Sequence, residues 1–253
     1  MLLALAAIYG VANSGAFSYR HLRIEGATVT DTSAIEDALA PVRGQNLFML
    51  YTPPLRATVA SLPTVRDAAV TVRLPDTLVV RLDERDAILI WRVGERRYLV
   101  DAEGNLFGML TSEEPTGGPP LPVVEDRRAA SAGLSIGTRL DPVDLDAATR
   151  LASLVPDDVG STAQRLDVSV TDQSGFVIRA PGPGWAAVFG FYTPTLRTPA
   201  LIPGQVRLLR SLLLDREATV ERIILASDTD GTYIPRPTPT PGPSGSPSAS
   251  PGS

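Results

Sequence analysis

The sequence contains no cysteine and a single histidine, His21. The first absence excludes disulfide bridges, thiolate metal sites and cysteine nucleophiles. The second excludes multi-histidine metal sites and argues against a Ser-His-Asp triad. Basic residues are in the minority: 23 Lys and Arg against 28 Asp and Glu give a net charge of −5 and a pI near 5.0. That balance lacks the basic footprint of a nucleic-acid binder. None of this assigns a compartment, because an extracytoplasmic domain with a good core needs no disulfide. What is present is ordinary globular material, 43% hydrophobic and 20% charged over 253 residues, enough for one large or two smaller domains.

The two ends differ from the rest. Residues 1–19, MLLALAAIYGVANSGAFSY, carry no charged side chain, and Arg20 and Arg23 follow. The apolar run is short for a spanning helix of about 20 residues. It reads as a membrane anchor over 1–18, with a cleaved signal segment or a buried helix as the alternatives. At the other end, 235–253 (PRPTPTPGPSGSPSASPGS) has no large apolar residue and reads as a disordered, solvated tail. A proline-rich ligand for another protein's groove is the sharper alternative there.

Between residues 19 and 85 five periodic segments follow one another. Leu22 and Ile24 alternate with His21 and Arg23 up to Gly26, as in a short strand. Asp31, Thr32 and Ser33 offer N-caps, with Glu36 at capping-box spacing from Ser33. Ile35, Ala38, Leu39 and Val42 then share a helical face, and Gly44 stops it. Thr52 reads as the cap of a second helix with Pro53 and Pro54 in its first turn, Leu55, Val59 and Leu62 on its core face, and Pro63 at its end. Leu47, Phe48 and Leu50 read as core plugs between the helices, with a hydrophobic ligand pocket as the alternative. Ala68, Val70 and Val72, then Leu78, Val80 and Leu82, line one face each of two strands joined at Leu74-Pro75-Asp76. The order is β-α-α-β-β.

That order resembles a POTRA domain. The segments HLRIEGATVTDTSAIEDAL, RGQNLFMLYTPPLRATVASLPTVRDAAV and VRLPDTLVVRLDERDAI resemble those of the bacterial cell-division FtsQ/DivIB family. WRVGERRYLVDAEGNLF extends the likeness past the POTRA segment.

From 86 to 234 the chain reads as a β-rich domain with two helices. AILIWRV, RRYLVD and NLFGML are meandering strands turning at Gly94-Glu95 and at Asp101–Gly104, where Asp101 reads as a turn residue rather than a catalytic carboxylate. LPVV is a further strand, and Asp141-Pro142 opens a helix with Leu145, Ala148, Ala152 and Val155 on one face. RLDVSV, FVIRA and WAAVFGF are strands. PGPGW lacks the phosphate-cradling form and reads as a turn, and Gly190 matches a glycine position of the family. PGQVRLLRSLLLD is a helix with Val206, Leu209 and Leu213 at core spacing. VERIILAS is a strand in which Ile223, Ile224 and Leu225 read as core, and DTDG turns into the last segment, TYI.

No catalytic constellation, cofactor site or metal site emerges. The pairs Asp83-Glu84, Glu113-Glu114 and Asp157-Asp158 read as solvated charges in turns or strand ends. The fold class expected is α+β: an N-terminal membrane helix, a POTRA domain at 19–85, a β-rich domain at 86–234 and a disordered tail. The resemblance implies a single-pass, mainly extracytoplasmic protein at the division septum, with no enzymatic activity and no small-molecule substrate. It implies binding to small bitopic division proteins of the FtsB, FtsL or DivIC type and a link to septal wall synthesis. Strand addition is the expected mode, with Ser227, Asp228, Asp230, Gly231, Thr232, Tyr233 and Ile234 as partner-binding residues. A POTRA-bearing chaperone for exported clients is the alternative; it would call for repeated POTRA units or a following barrel.

Overall fold

The computed structural model describes residues 15–110 and 120–237. The expected anchor up to residue 14, the Glu113-Glu114 pair and the tail beyond residue 237 lie outside the described residues. Among those residues no helix is long and apolar enough to cross a membrane. The fold is mixed α+β, with four α-helices among the described residues, and it divides into two compact units, with the division between Thr149 and Arg150.

The first unit opens with β1 (His21–Glu25), helices α1 (Thr32–Leu39) and α2 (Thr52–Ala60), then β2 (Val65–Arg73) and β3 (Thr77–Glu84). The three strands form a sheet in the order β1-β3-β2, with β1 parallel and β2 antiparallel to the central β3. This is the β-α-α-β-β order expected from the sequence. Asp31 caps α1, accepting from the Ser33 N–H at 2.9 Å, and Gly44 takes the left-handed conformation (φ 82°) after it. Helix α2 is capped one residue earlier than expected, at Tyr51, so that Thr52 is already helical. The core is built from one face of each element: Ile35 and Leu39 of α1, Leu55 and Val59 of α2, Val65, Ala68 and Val70 of β2, and Leu78, Val80 and Leu82 of β3. Each large apolar side chain of this kind contributes about 1.5–3 kcal/mol on burial. Leu47 joins this core and Leu50 packs against it, but Phe48 does not: it is 53% exposed. The expected plug therefore has two members rather than three. The Phe48 N–H donates to Asn46 Oδ1 (2.9 Å) in a turn that leaves Phe48 and Met49 outside the core.

Glu84 is not the solvated charge its neighbourhood suggested. Its carboxylate accepts from the N–H groups of Thr28 (2.9 Å), Val29 (3.1 Å) and Thr30 (2.7 Å) and from the Thr28 hydroxyl. Consecutive backbone donors make an anion-binding concavity, and here the protein fills it with its own β3 terminus. Burial pushes the Glu84 carboxyl up, but the Thr28 and Thr30 hydrogen bonds outweigh it and hold the group at about 2.

Beyond β3 come β4 (Leu89–Val93), β5 (Arg96–Val100), β6 (Leu106–Met109) and β7 (Val123–Asp126). They lie in the order β7-β4-β5-β6. The β4-β5-β6 meander is as expected, whereas β7 pairs parallel to β4. Asp101 is the turn residue it was read to be: its carboxylate accepts from the N–H groups of Glu103 (3.0 Å) and Asn105 (2.8 Å) and also pairs with Arg85. The buried Asp126 accepts from Trp91 Nε1 (3.1 Å), the Ser131 hydroxyl (2.6 Å) and Arg128, whose guanidinium also reaches Asp144 on α3 (Pro142–Ala152). The buried face of α3 is Ala147, Ala148 and Leu151; Val155, expected on that face, lies beyond the helix and is 53% exposed.

In the second unit, β8 (Asp167–Thr171), β9 (Gly175–Ala180), β10 (Trp185–Gly190), β11 (Val220–Leu225) and β12 (Gly231–Pro235) lie in the order β12-β11-β10-β9-β8, with α4 at Ile202–Leu213. The strands β8, β9 and β10 are antiparallel, and the crossover through α4 makes β10 and β11 parallel.

Candidate partner-docking edge

β11 is laid down by α4, and β12 is folded back on it. Ile223 and Leu225 are fully buried, while Ile224 is 41% exposed. Strand alternation therefore overrides the reading of all three as core: Ile224 points to the other face. β12 pairs antiparallel with β11 in the register Leu225↔Gly231, Ile224↔Thr232, Ile223↔Tyr233 and Arg222↔Ile234.

The expected partner-binding residues divide between the turn and this strand. Ser227 organises the turn, its hydroxyl accepting from the N–H groups of Thr229 (3.1 Å) and Asp230 (2.9 Å) while its own N–H reaches the Asp230 carbonyl (3.1 Å). Asp228 packs on the first turn of α4, so closely that a Cβ added at Gly204 would stand 2.4 Å from its own Cβ. Gly231 admits Leu208 and Leu212 of α4, each 3.2 Å from where a Cβ would sit. Tyr233 lies under the Arg216 guanidinium, 5.9 Å from the ring centroid, and is 43% exposed. Ile234, on the opposite face with Thr232, is also 43% exposed. Beyond the strand, the Arg236 N–H donates to the Thr219 carbonyl (2.7 Å) and its guanidinium to the Pro183 carbonyl (2.6 Å), tying the end of the hairpin down.

Every residue of β12 is exposed, and β12 stands at the end of the strand order, paired among the described residues with β11 alone. Its outward N–H and C=O groups are thus a template for a further strand.

The support beneath this edge was not read from the sequence. Gln205, fully buried, accepts from the Tyr192 hydroxyl (2.7 Å) and donates to the carbonyls of Phe189 and Leu225 (both 3.3 Å). Arg197 donates to the same two carbonyls (2.6 and 2.7 Å) and to that of Ala226. Burial pushes the Tyr192 phenol well above its ordinary value, so it stays a neutral donor. Glu217 gathers Trp185 Nε1 (2.8 Å), the Thr162 hydroxyl (2.7 Å) and the Ser161 hydroxyl on the far side of β10. The polar residues of α4 and of the 191–198 loop carried no periodic signal that could have pointed to these roles.

Among the described residues, no group of three or more His, Cys, Asp or Glu side chains could hold a metal ion. An open hollow of about 570 Å³, lined by Thr162, Gln164, Arg165 and the Pro181–Pro183 turn, holds Arg165 as its one ionisable side chain.

The first unit's sheet with its two helices, together with the strands that follow, defines a POTRA-bearing α+β protein. Residues 17–85 match the FtsQ-type POTRA domain family. The chain is 24% identical over 233 residues to the cell division protein FtsQ of Chloroflexus aurantiacus, covering 92% of this chain and 75% of that one. It is 29% identical over 133 residues to FtsQ of Caulobacter vibrioides (51% and 43% covered) and 29% over 105 residues to that of Corynebacterium glutamicum (42% and 44%). Residues 17–85 thus carry an FtsQ-type POTRA domain, and the chain is similar to the bacterial cell division proteins FtsQ, as the sequence resemblance implied.

Proposed function

We propose that this chain is a membrane-anchored, extracytoplasmic scaffold of the division machinery that captures small bitopic division proteins of the FtsB, FtsL or DivIC type by strand addition to β12, for septum formation. In this reading residues 1–18 anchor, 19–85 form the POTRA domain, 86–234 the docking domain and 235–253 a solvated tail. The observation that carries it is the free edge of β12, every residue of which is exposed, with β11 paired on its other side and α4 against Gly231. Backbone pairing supplies the affinity, and Tyr233 and Ile234 supply a contact on each face of the added strand.

The test is proline substitution along the edge. N–H groups alternate in direction along a strand, so one of Thr232 and Tyr233 points its N–H away from β11. Thr232→Pro and Tyr233→Pro are made separately in the full chain. The variant that loses the outward donor retains the folded domain and loses capture of the FtsB-type partner. If both variants capture the partner as well as the parent, strand addition at this edge is wrong.

A further inference from the structure

The exposed loop after Gly44 carries large apolar side chains that the POTRA core does not use. Phe48 is 53%, Met49 76% and Tyr51 72% exposed. Phe17 packs edge-on against Phe48, with ring centroids 4.8 Å apart. The loop is tied as a ribbon to residues 17–19: the Leu47 N–H donates to the Phe17 carbonyl (2.8 Å), the Tyr19 N–H to Gln45 (2.8 Å) and the Gly44 N–H to Tyr19 (2.9 Å), with Ser18 bridging Asn46. Leu47, buried in the core, nails this ribbon to the domain, so the apolar tip is a fixed rim.

We infer that this rim, Phe17 with Phe48, Met49 and Tyr51, beds into the interface of an anionic lipid bilayer and holds the POTRA domain against the membrane. Three observations choose a lipid surface over another occupant. The first is continuity. Residues 1–19 carry no charged side chain, and the short 3-10 turn Gly15–Phe17 joins them to the rim. Such a turn advances only roughly 2 Å per residue, so whatever surface takes the apolar leader meets the rim at once. The second is charge. The rim segment 38–51 contains Arg43 and no acidic residue, and Arg20 follows the leader with its guanidinium on the Gly15 carbonyl (3.0 Å); Arg56 and Arg66, further along, are already paired with Asp67 and Asp83. Arginines beside an apolar rim suit anionic headgroups. The third is side-chain type: a tyrosine flanking phenylalanine and methionine places a ring with a polar end at headgroup depth and the apolar groups beneath it.

The inference rests on the membrane anchorage proposed above, and its test separates the two. Because the chain has no cysteine, Met49→Cys, Tyr51→Cys and, as a control, Leu196→Cys (92% exposed) each give one labelling site for an environment-sensitive fluorophore. The full chain is mixed with vesicles of phosphatidylcholine and phosphatidylglycerol. Flotation reads anchorage; quenching by doxyl-labelled lipid against aqueous iodide reads the rim. The expected result is flotation, a blue shift at positions 49 and 51 with loss of most emission to the doxyl lipid, and an iodide-quenched control. Flotation with positions 49 and 51 as iodide-accessible as 196 overturns the rim and leaves the anchor standing. Failure to float with no lipid quenching overturns both. A blue shift that needs no lipid and grows with protein concentration overturns the rim in favour of a second copy of the chain.

Discussion

Arg197 Nη2 stands 2.7 Å from the carbonyl oxygen of Leu225, the last residue of β11, and 2.6 Å from that of Phe189 near the end of β10. One guanidinium thus ties together the adjacent ends of two parallel strands. The β12 hairpin starts from this clamp.

Removing the clamp exposes its value. Arg197→Ala leaves the Phe189 and Leu225 carbonyls only the longer Gln205 bonds and takes the guanidinium from the Ala226 carbonyl, an expected loss of about 1–3 kcal/mol of stability by denaturant unfolding. Arg197→Lys recovers only part of this, because an ammonium lacks the planar fork that spans several acceptors. Under the docking proposed for β12, both variants are expected to weaken partner capture before the domain unfolds. Equal stability of the parent and the Ala variant would show that Gln205, which meets the same carbonyls at 3.3 Å, is sufficient alone.

Glu84 gives the first unit an acid-sensitive fastening. Its folded-state value of about 2 lies below the ordinary 4.5, so its stabilisation is fully present above pH 4.5 and is lost as pH falls towards 2. Glu84→Gln is expected to lower stability at neutral pH by about 1–3 kcal/mol, since three backbone donors lose a charged acceptor. Urea midpoints of parent and variant, followed from pH 7 to pH 2, should converge at the acid end. Parallel curves would mean that the carboxylate does not hold this turn.

The legibility of this fold follows the range of the forces that make it. Helix α1, with Asp31 before it and Gly44 after it, and the alternating β2-β3 pair are written in neighbouring residues, so a single pass along the chain finds them. Pairings between distant segments leave no such trace. The parallel contact of β7 with β4 and the capture of residues 28–30 by Glu84 depend on chain return over tens of residues. Phe48 and Ile224 failed for a narrower reason: apolarity says that a side chain is fit for burial, and only strand or turn geometry says which way it points. At the β12 edge, the short final strand could be read because DTDG turns the chain into the β-prone TYI. Arg197 and Gln205 could not, since a polar residue that satisfies carbonyls has no periodicity.

Gly175 tests the sheet's tightest approach. A Cβ there would stand 2.3 Å from the carbonyl carbon and oxygen of Gly190, and its φ of 63° already disfavours any side chain. Gly175→Ala should therefore cost about 3 kcal/mol or more. Gly182→Ala, where no atom lies within 4 Å of the added methyl, serves as the control and should be close to neutral. Thermal unfolding of the two variants distinguishes a local packing requirement from a general intolerance of this region.

The two faces of the β12 edge can be tested independently of its backbone. Tyr233, under Arg216, faces α4; Ile234, opposite Arg222, faces away, and both keep 43% of their surface exposed. Neither contributes a buried core contact, so Tyr233→Ala and Ile234→Lys should each leave stability within about 0.5 kcal/mol of the parent. A partner strand paired beyond β12 would place side chains on both faces. Each substitution then removes a contact of hot-spot character, weakening capture of the FtsB-type partner by about 2 kcal/mol, or roughly 30-fold. Loss at Tyr233 alone would point to a partner held against α4 rather than paired along the strand, because an added strand cannot avoid the Ile234 face. Calorimetric titration of the two variants, with unfolding curves run in parallel, decides between the two geometries.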